Sequence, residues 1–270
     1  SRPGHPPGSS AISASARTKP EAVDAILQEE MALGMWLDAT DAVRTAPQLK
    51  VGNAPIAINP KRDSFRMIVD FSARRHGVLS GLNGYMAQNL PVPMASIRET
   101  GGADRDLSAV TPDLRMQVLD ISSAFRQVPV HPFAWPLQTV LWKGRRLWDV
   151  RLPMGATYSP SAMCRLSTAI AAAAERRLRD AGVPALIRAY VDDFAIFSPS
   201  PLAAGAVKDI LNGVGLQVSQ SKLEKVGPPG ATKTWLGLVW DLRPKMIAHP
   251  AVKAEKPIAA LEVALDGRWA

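Results

Sequence analysis

Apolar positions along the chain follow two rhythms. Val23, Ile26, Leu27 and Met31 recur at helical spacing, behind a Thr18/Glu21 pair with capping-box spacing and ahead of Gly34, and so predict an amphipathic helix. The stretch SPSAMCRLSTAIAAAAERRLRDAG predicts a second helix of about six turns, with Ser159 as N-cap, Pro160 at the first helical position and Gly182 just past the end. A third helix is predicted near 202–213. Shorter runs rich in β-branched and aromatic residues predict strands. These are APIAI and FRMIVDF, joined by the basic turn NPKRDS; LRMQVLDI, where Met116 and Val118 share a face with Asp120; ALIRAYV and FAIF; LQVS; and two strands within TKTWLGLVWDLRPKMIAHP. The polar segment 98–113 reads as a loop, and SSAF after Asp120 as a turn into a short helix. Helices that alternate with strands and hairpins predict an α+β layer architecture with a mixed or antiparallel sheet.

Composition adds bounds to that outline. At 270 residues, 47% hydrophobic and 21% charged, the chain can bury a sizeable core as one large domain or two modest ones. Residues 1–18 are dominated by Pro, Gly and Ser and cannot offset the cost of ordering, which predicts a disordered arm. A net charge of +8 and a pI near 9.9 favour a polyanionic partner, nucleic acid before an anionic membrane. Cys164 is the only cysteine, so it can form neither an intramolecular disulfide nor a cysteine metal cluster, and its Ala-rich helical surroundings suit packing. No apolar run of about 18 residues and no signal-peptide layout are present, so an intracellular protein, cytoplasmic or nuclear, with no membrane partner is expected.

The doublet Asp192-Asp193, set between two predicted strands in RAYVDDFAIFS, is where the pattern raises chemistry. Asp suits tight turns, but Asp-Gly or Asn-Gly serves a two-residue hairpin better, because both central positions want positive φ. Asp120 closes an apolar strand, and a carboxylate at the end of a buried strand is expensive unless paired or bound to a metal. If that strand lies beside the 188–198 hairpin, three like charges converge. A divalent cation resolves their repulsion, and oxygen-only ligands select Mg2+ or Mn2+ over zinc. Two such ions can clamp the attacking and leaving oxygens of an in-line phosphoryl transfer.

Five blocks in order make the chain resemble the reverse transcriptases, RNA-directed DNA polymerases, of retroviruses and LTR-type retrotransposons. SFRMIVDF looks like the fingers block, VLDISSAF like the first palm carboxylate block, LPMGATYSPSAM like the template- and nucleotide-positioning block, and YVDD like the second carboxylate block. SKLEK with TWLGLVWD looks like the last palm strands and the primer grip. The resemblance covers roughly residues 19–260 and implies a right-hand polymerase. Its expected divisions are a disordered arm at 1–18, fingers at 19–90, palm at 91–125, a fingers/palm insertion at 126–155, palm at 156–242 and the start of a thumb at 243–270.

The resemblance also implies roles. Asp120 and Asp192 would bind two Mg2+ or Mn2+ ions, Ile121 lending its carbonyl and Asp193 completing the acidic cluster. The backbone amides of Ser123 and Ala124 would face the triphosphate, with Arg66 and Lys61 or Arg62 neutralising its phosphates. Lys222 aligns with a palm lysine beside the leaving pyrophosphate, where a cationic acid could protonate it. Phe125 would lie beneath the incoming sugar and select deoxynucleotides, against an alternative of plain core packing. Met154 and Gly155 would flank the nascent base pair, Met154 standing where many members carry Gln or Phe. Trp235, Leu236 and Gly237 would form the primer grip, although the same residues suit an ordinary strand turn.

Implied partners are an RNA or DNA template with its primer, deoxynucleoside triphosphates, and further polyprotein domains, a thumb and a ribonuclease H. A sequence that stops at Ala270 leads to the expectation of fingers and palm with the thumb largely absent, gripping its duplex weakly. The alternative function is a polymerase-derived domain without turnover, kept for nucleic-acid binding or assembly; the intact set Asp120, Asp192, Asp193 and Arg66 argues against it.

Overall fold

The structure, a computed structural model, describes residues 13–46, 54–60, 65–72, 74–75, 78–79, 82–84, 92, 99–101, 103, 107, 111, 113–220 and 229–248. The chain divides into two compact units, Ser1–Val92 with Ser123–Met163 and Pro93–Ser122 with Cys164–Ala270.

In the first unit, helices α1 (Ala14–Thr18) and α2 (Pro20–Ala32) precede strand β1 (Trp36–Asp38) and helix α3 (Thr40–Thr45). Two short strand pairs follow: β2 (Ile56–Pro60) pairs antiparallel with β3 (Phe65–Val69), and β4 (Arg74–Arg75) with β5 (Val78–Leu79). The disordered arm expected over 1–18 ends early. Residues 1–12 lie outside the described residues, but Ser13 caps α1 by accepting the Ala16 N–H, and Ala16 is fully buried. Thr18 therefore ends one helix instead of capping the next, and α2 begins at Pro20, whose fixed φ suits the first helical position. Its Val23 and Leu27 join Trp36, Ile56, Val69, Phe71, Val140 and Leu147 in one core.

After the short helix α4 (Ala124–Gln127) and a 3-10 segment (Pro132–Gln138), strands β7 (Thr139–Trp142) and β8 (Arg145–Asp149) form a hairpin, with β1 added to the outer edge of β8. Neither this hairpin nor β1 was anticipated from the sequence.

The second unit is organised around a sheet of order β6-β10-β9, made of β6 (Arg115–Asp120), β9 (Leu186–Tyr190) and β10 (Asp193–Ser198). Both β6 and β10 are buried nearly throughout, and each fully buried Phe, Ile or Leu side chain contributes about 1.5–3 kcal/mol. One face, carrying Met116, Val118, Ala195 and Phe197, closes on Trp235, Trp240 and Leu242. Those residues belong to a second sheet, β11 (Thr232–Trp235), β12 (Leu238–Asp241) and β13 (Met246–Ala248), three strands where two were expected. It is tied to β6 by reciprocal Met116–Gly230 backbone hydrogen bonds of 2.7 and 3.1 Å.

The long helix α5 (Tyr158–Asp180) and α6 (Leu202–Gly213) match expectation. Ser159, however, sits inside the first turn of α5 instead of capping it. Residues 99–101 are helical where a loop was expected. The sheet expected to be mixed or antiparallel is antiparallel in every pairing between the strands named here, and among the described residues a single isolated bridge, Ala54 to Val140 of β7, is parallel. No helix among the described residues is long and apolar enough to cross a membrane.

Candidate active site

Strand register brings the acidic residues together. Phe197 lies opposite Met116, Ala195 opposite Val118, and Asp193 opposite Asp120. Side chains on one face recur every second residue, and directly opposed pairs point the same way. The face that carries the core of the second unit therefore terminates in a pair of carboxylates. Asp192 joins them from the turn between β9 and β10, where its carbonyl accepts the Ile121 N–H at 3.1 Å. The segment after Asp120 is fixed from its other side as well: Asp120 O accepts the Ser219 N–H, and Ser122 N–H donates to Gln217 O, both at 2.8 Å.

As a result Asp120, Asp192 and Asp193 can each offer a carboxylate oxygen with all three atoms within 4.8 Å of one another. Asp120 is buried and the other two half-buried. At an effective dielectric near 20, two unit charges about 4 Å apart repel by about 4 kcal/mol. Ionised together, the three fit a small hard cation with oxygen ligands.

The turn that delivers Asp192 departs from sequence reasoning. Tyr190 pairs with Asp193, so the two loop residues are Val191 and Asp192, not the two aspartates. Val191 has φ 55, whereas Asp192 is absent from the positive-φ residues. A β-branched residue in that region is strained, since left-handed conformations cost about 1–2 kcal/mol for L residues. Two side chains of α5 meet this turn. Ser167 Oγ donates to Val191 O at 2.7 Å, and burial pushes the Cys164 thiol up against a hydrogen bond from the Val191 backbone that pulls it down.

The remaining expected residues are distributed as follows. Ser123 is exposed, adopts the left-handed conformation (φ 44, ψ 45) and leads into α4, which carries the buried Ala124 and the half-buried Phe125. Arg66 is exposed on β3. Met154 and Gly155 are exposed in the tight turn before α5. Gly155 is required there: φ is +100, and a Cβ would come within 2.8 Å of Val69 O. Trp235 is a core residue, 2% exposed, its ring tilted against that of Trp240 with centroids 5.6 Å apart. Leu236 (φ 51) and Gly237 (φ 77) form a two-residue hairpin turn with both φ values positive. Lys61, Arg62 and Lys222 lie outside the described residues.

Sequence reasoning missed two supports in the first unit. Buried Asn83 donates to Ser72 Oγ and Gly155 O and accepts the Thr157 N–H, each at 2.8 Å, locking the turn around Gly155. Arg126 in α4 holds both oxygens of Asp149 at 2.8 Å and Glu30 at 2.8 Å, over the ring of Trp36. Asp149 is pushed up to about 6, burial outweighing the Arg126 guanidinium. Gln138 accepts a hydrogen bond from Tyr158, whose hydroxyl is raised by burial and by nearby Asp149. Nothing in the local sequence flags Asn83. Arg126 is half-buried in a four-residue helix, and only its two distant carboxylates explain it.

Residues 58–240 match the family model described as reverse transcriptase (RNA-dependent DNA polymerase). The chain belongs to the reverse transcriptase family. Its fold is that of solved foamy virus enzymes. A foamy viral protease–reverse transcriptase in complex with double-stranded DNA is 19% identical with a TM-score of 0.57, over 86% of this chain and 35% of that one. A mutant of the prototype foamy virus protease–reverse transcriptase is 20% identical with a TM-score of 0.57, over 88% and 27%. A further foamy viral protease–reverse transcriptase with double-stranded DNA is 20% identical with a TM-score of 0.55, over 94% and 47%. This reverse transcriptase domain thus spans between 27% and 47% of those chains. No curated protein matches it.

Proposed function

We propose that this domain carries out template-directed synthesis of DNA from deoxynucleoside triphosphates, as the RNA-directed DNA polymerase of a retroelement polyprotein. The observation that carries the reading is the convergence of Asp120, Asp192 and Asp193 within 4.8 Å at the end of a sheet face whose register fixes two of them opposite each other. Asp120 and Asp192 would hold two Mg2+ or Mn2+ ions, with the Ile121 carbonyl and Asp193 completing the donor set. Bound there, such ions supply charge neutralisation at the attacking and leaving oxygens of an in-line transfer.

Other groups of the chain bind and orient. Backbone N–H groups of Ser123 and Ala124, three and four residues after Asp120, suit a triphosphate; the left-handed Ser123 turns the chain sharply before α4. Arg66, Lys61 and Arg62 supply positive charge to the same phosphates. Phe125 excludes a 2′-hydroxyl by bulk, while Met154 and Gly155 border the nascent pair. Lys222 protonates the leaving group. Of the proposed primer grip, the Leu236-Gly237 turn is the part that meets the primer, since the Trp235 side chain is spent in the core. Fingers, palm and thumb boundaries follow the divisions drawn from the sequence, and template, primer and companion polyprotein domains are part of the same reading.

Primer extension with the wild type and with Asp192→Asn tests it. Removing one group that supports transition-state charge costs about a hundred- to a thousandfold, and a loss of that size with primer–template binding retained is expected. Equal extension by Asp192→Asn would sink the metal-dependent reading. Binding of primer–template by a wild type that extends nothing would favour a domain kept for nucleic-acid binding.

A further inference from the structure

The Val191-Asp192 turn is held from outside the hairpin, by the Ile121 N–H on the Asp192 carbonyl and by helix α5 on Val191. A β-branched residue at positive φ persists only where its surroundings over-determine it, because such conformations cost about 1–3 kcal/mol. Ser167 is fully buried, on the inward face of an Ala-rich helix. A buried hydroxyl is costly unless bonded, and inside a helix its usual recourse is a carbonyl of the preceding turn. Cys164 O lies within reach at 3.3 Å, but the single hydroxyl proton favours the nearer acceptor, Val191 O at 2.7 Å across the gap.

A second tie fixes the other end of the same strand. Glu175 Oε1 accepts the Ile187 N–H at 2.7 Å and an Arg188 guanidinium N–H at 3.2 Å. Among the described residues β9 is the edge of its sheet, and the helix supplies the acceptor for the Ile187 N–H. The spacings agree. Eight residues of helix from Ser167 to Glu175 span about 12 Å, and four residues of strand from Ile187 to Val191 span about 13 Å. Helix and strand therefore run antiparallel in register, joined once at the base of the hairpin and once at its tip.

We propose that Ser167 is a positioning residue for the carboxylate cluster: by holding the Val191 carbonyl it keeps the turn in its strained conformation and aims Asp192 at Asp120. The proposal rests on the metal-dependent reading above. It assigns the base tie at Glu175 to strand alignment and the tip tie at Ser167 to ligand geometry.

Mn2+ binding to the protein alone, followed by electron paramagnetic resonance, tests it without requiring turnover. Wild type, Ser167→Ala, Val191→Gly, the double variant and Asp192→Asn are compared, with circular dichroism and thermal melts as folding controls. Ser167→Ala should weaken Mn2+ binding about three- to tenfold, the range that one hydrogen bond carries. It should also raise the Mg2+ concentration needed for half-maximal primer extension by a similar factor, with primer–template affinity unchanged. In the Val191→Gly background the same substitution should weaken binding less than twofold, because glycine adopts positive φ without being held.

Wild-type Mn2+ affinity in Ser167→Ala, or an equal loss in both backgrounds, would overturn the positioning role while leaving the metal site standing. Absence of Mn2+ binding by the wild type, or unchanged binding by Asp192→Asn, would overturn the metal site and this proposal with it. Should Ser167→Ala fail to fold, Ser167→Cys, with a weak donor in similar volume, carries the measurement: an intermediate affinity supports the role and wild-type affinity overturns it.

Discussion

Two hairpins of this chain, β7–β8 and β9–β10, have the same plan and opposite priorities. Each joins its strands through two residues. In β7–β8 these are Lys143 (φ 47) and Gly144 (φ 80), both at positive φ, as the favoured hairpin turn requires, with glycine where it relieves strain. In β9–β10 they are Val191 and Asp192, with the positive φ placed on a β-branched residue and no glycine. Each hairpin also carries a buried or half-buried aspartate at a strand end. Asp149 closes β8 against the guanidinium of Arg126, a countercharge built into the chain. Asp193 opens β10 opposite another carboxylate, Asp120. One hairpin obeys local preference and neutralises its own charge. The other gives up local preference, and its charges converge where a cation can bind.

The contrast is open to attack from either hairpin. The largest effect on stability is expected from Arg126→Met, which strips the countercharge from Glu30 and Asp149; breaking such a buried pair costs about 3–5 kcal/mol, measurable by urea unfolding. A smaller effect comes with pH. Folded Asp149 titrates at about 6 against an ordinary 3.8. Between those values the folded state binds more protons than the unfolded, so stability falls as pH rises through that window and is level on either side. Asp149→Asn should flatten that segment of the profile; an unchanged slope would mean another group produces it.

Next is Gly144→Val, which places in the compliant turn the kind of residue the acidic turn tolerates. A Cβ at Gly144 meets nothing within 4 Å, so the cost is conformational, about 1–2 kcal/mol. The smallest change belongs to Val191→Gly. Relief of strain is offset by about 0.5–1 kcal/mol of glycine entropy and by the loss of a half-buried side chain, leaving the melting temperature within a few degrees of wild type. A large stabilisation there would show the turn to be more strained than its neighbours can hold.

Legibility in the sequence followed the range of the interaction. The helices over 158–180 and 202–213 were readable because their periodicity and end signals are local. Asp120, Asp192 and Asp193 were readable as a set because each stands at the end of an apolar run, and because ordered blocks around them resemble one family. The β7–β8 hairpin was not read, although Lys143-Gly144 marks its turn. The turn of the acidic hairpin was placed one residue late, because local preference puts an aspartate, never a valine, at positive φ. Ser159 has the composition of a cap, but the helix starts at Tyr158, two residues before the expected Pro160.

By itself the sequence determined the α+β class, the family, and the three carboxylates of the candidate site, since residue type, period and order along the chain are enough for these. The tertiary structure alone decided that Asp193 faces Asp120 across a strand pair, that Arg126 answers Glu30 and Asp149, and that Trp235 belongs to the core. It also decided that a serine in the middle of α5 holds the strained turn. Each of these joins groups far apart in the chain, and which of them meet is fixed by sheet register and helix placement, quantities that no local pattern encodes.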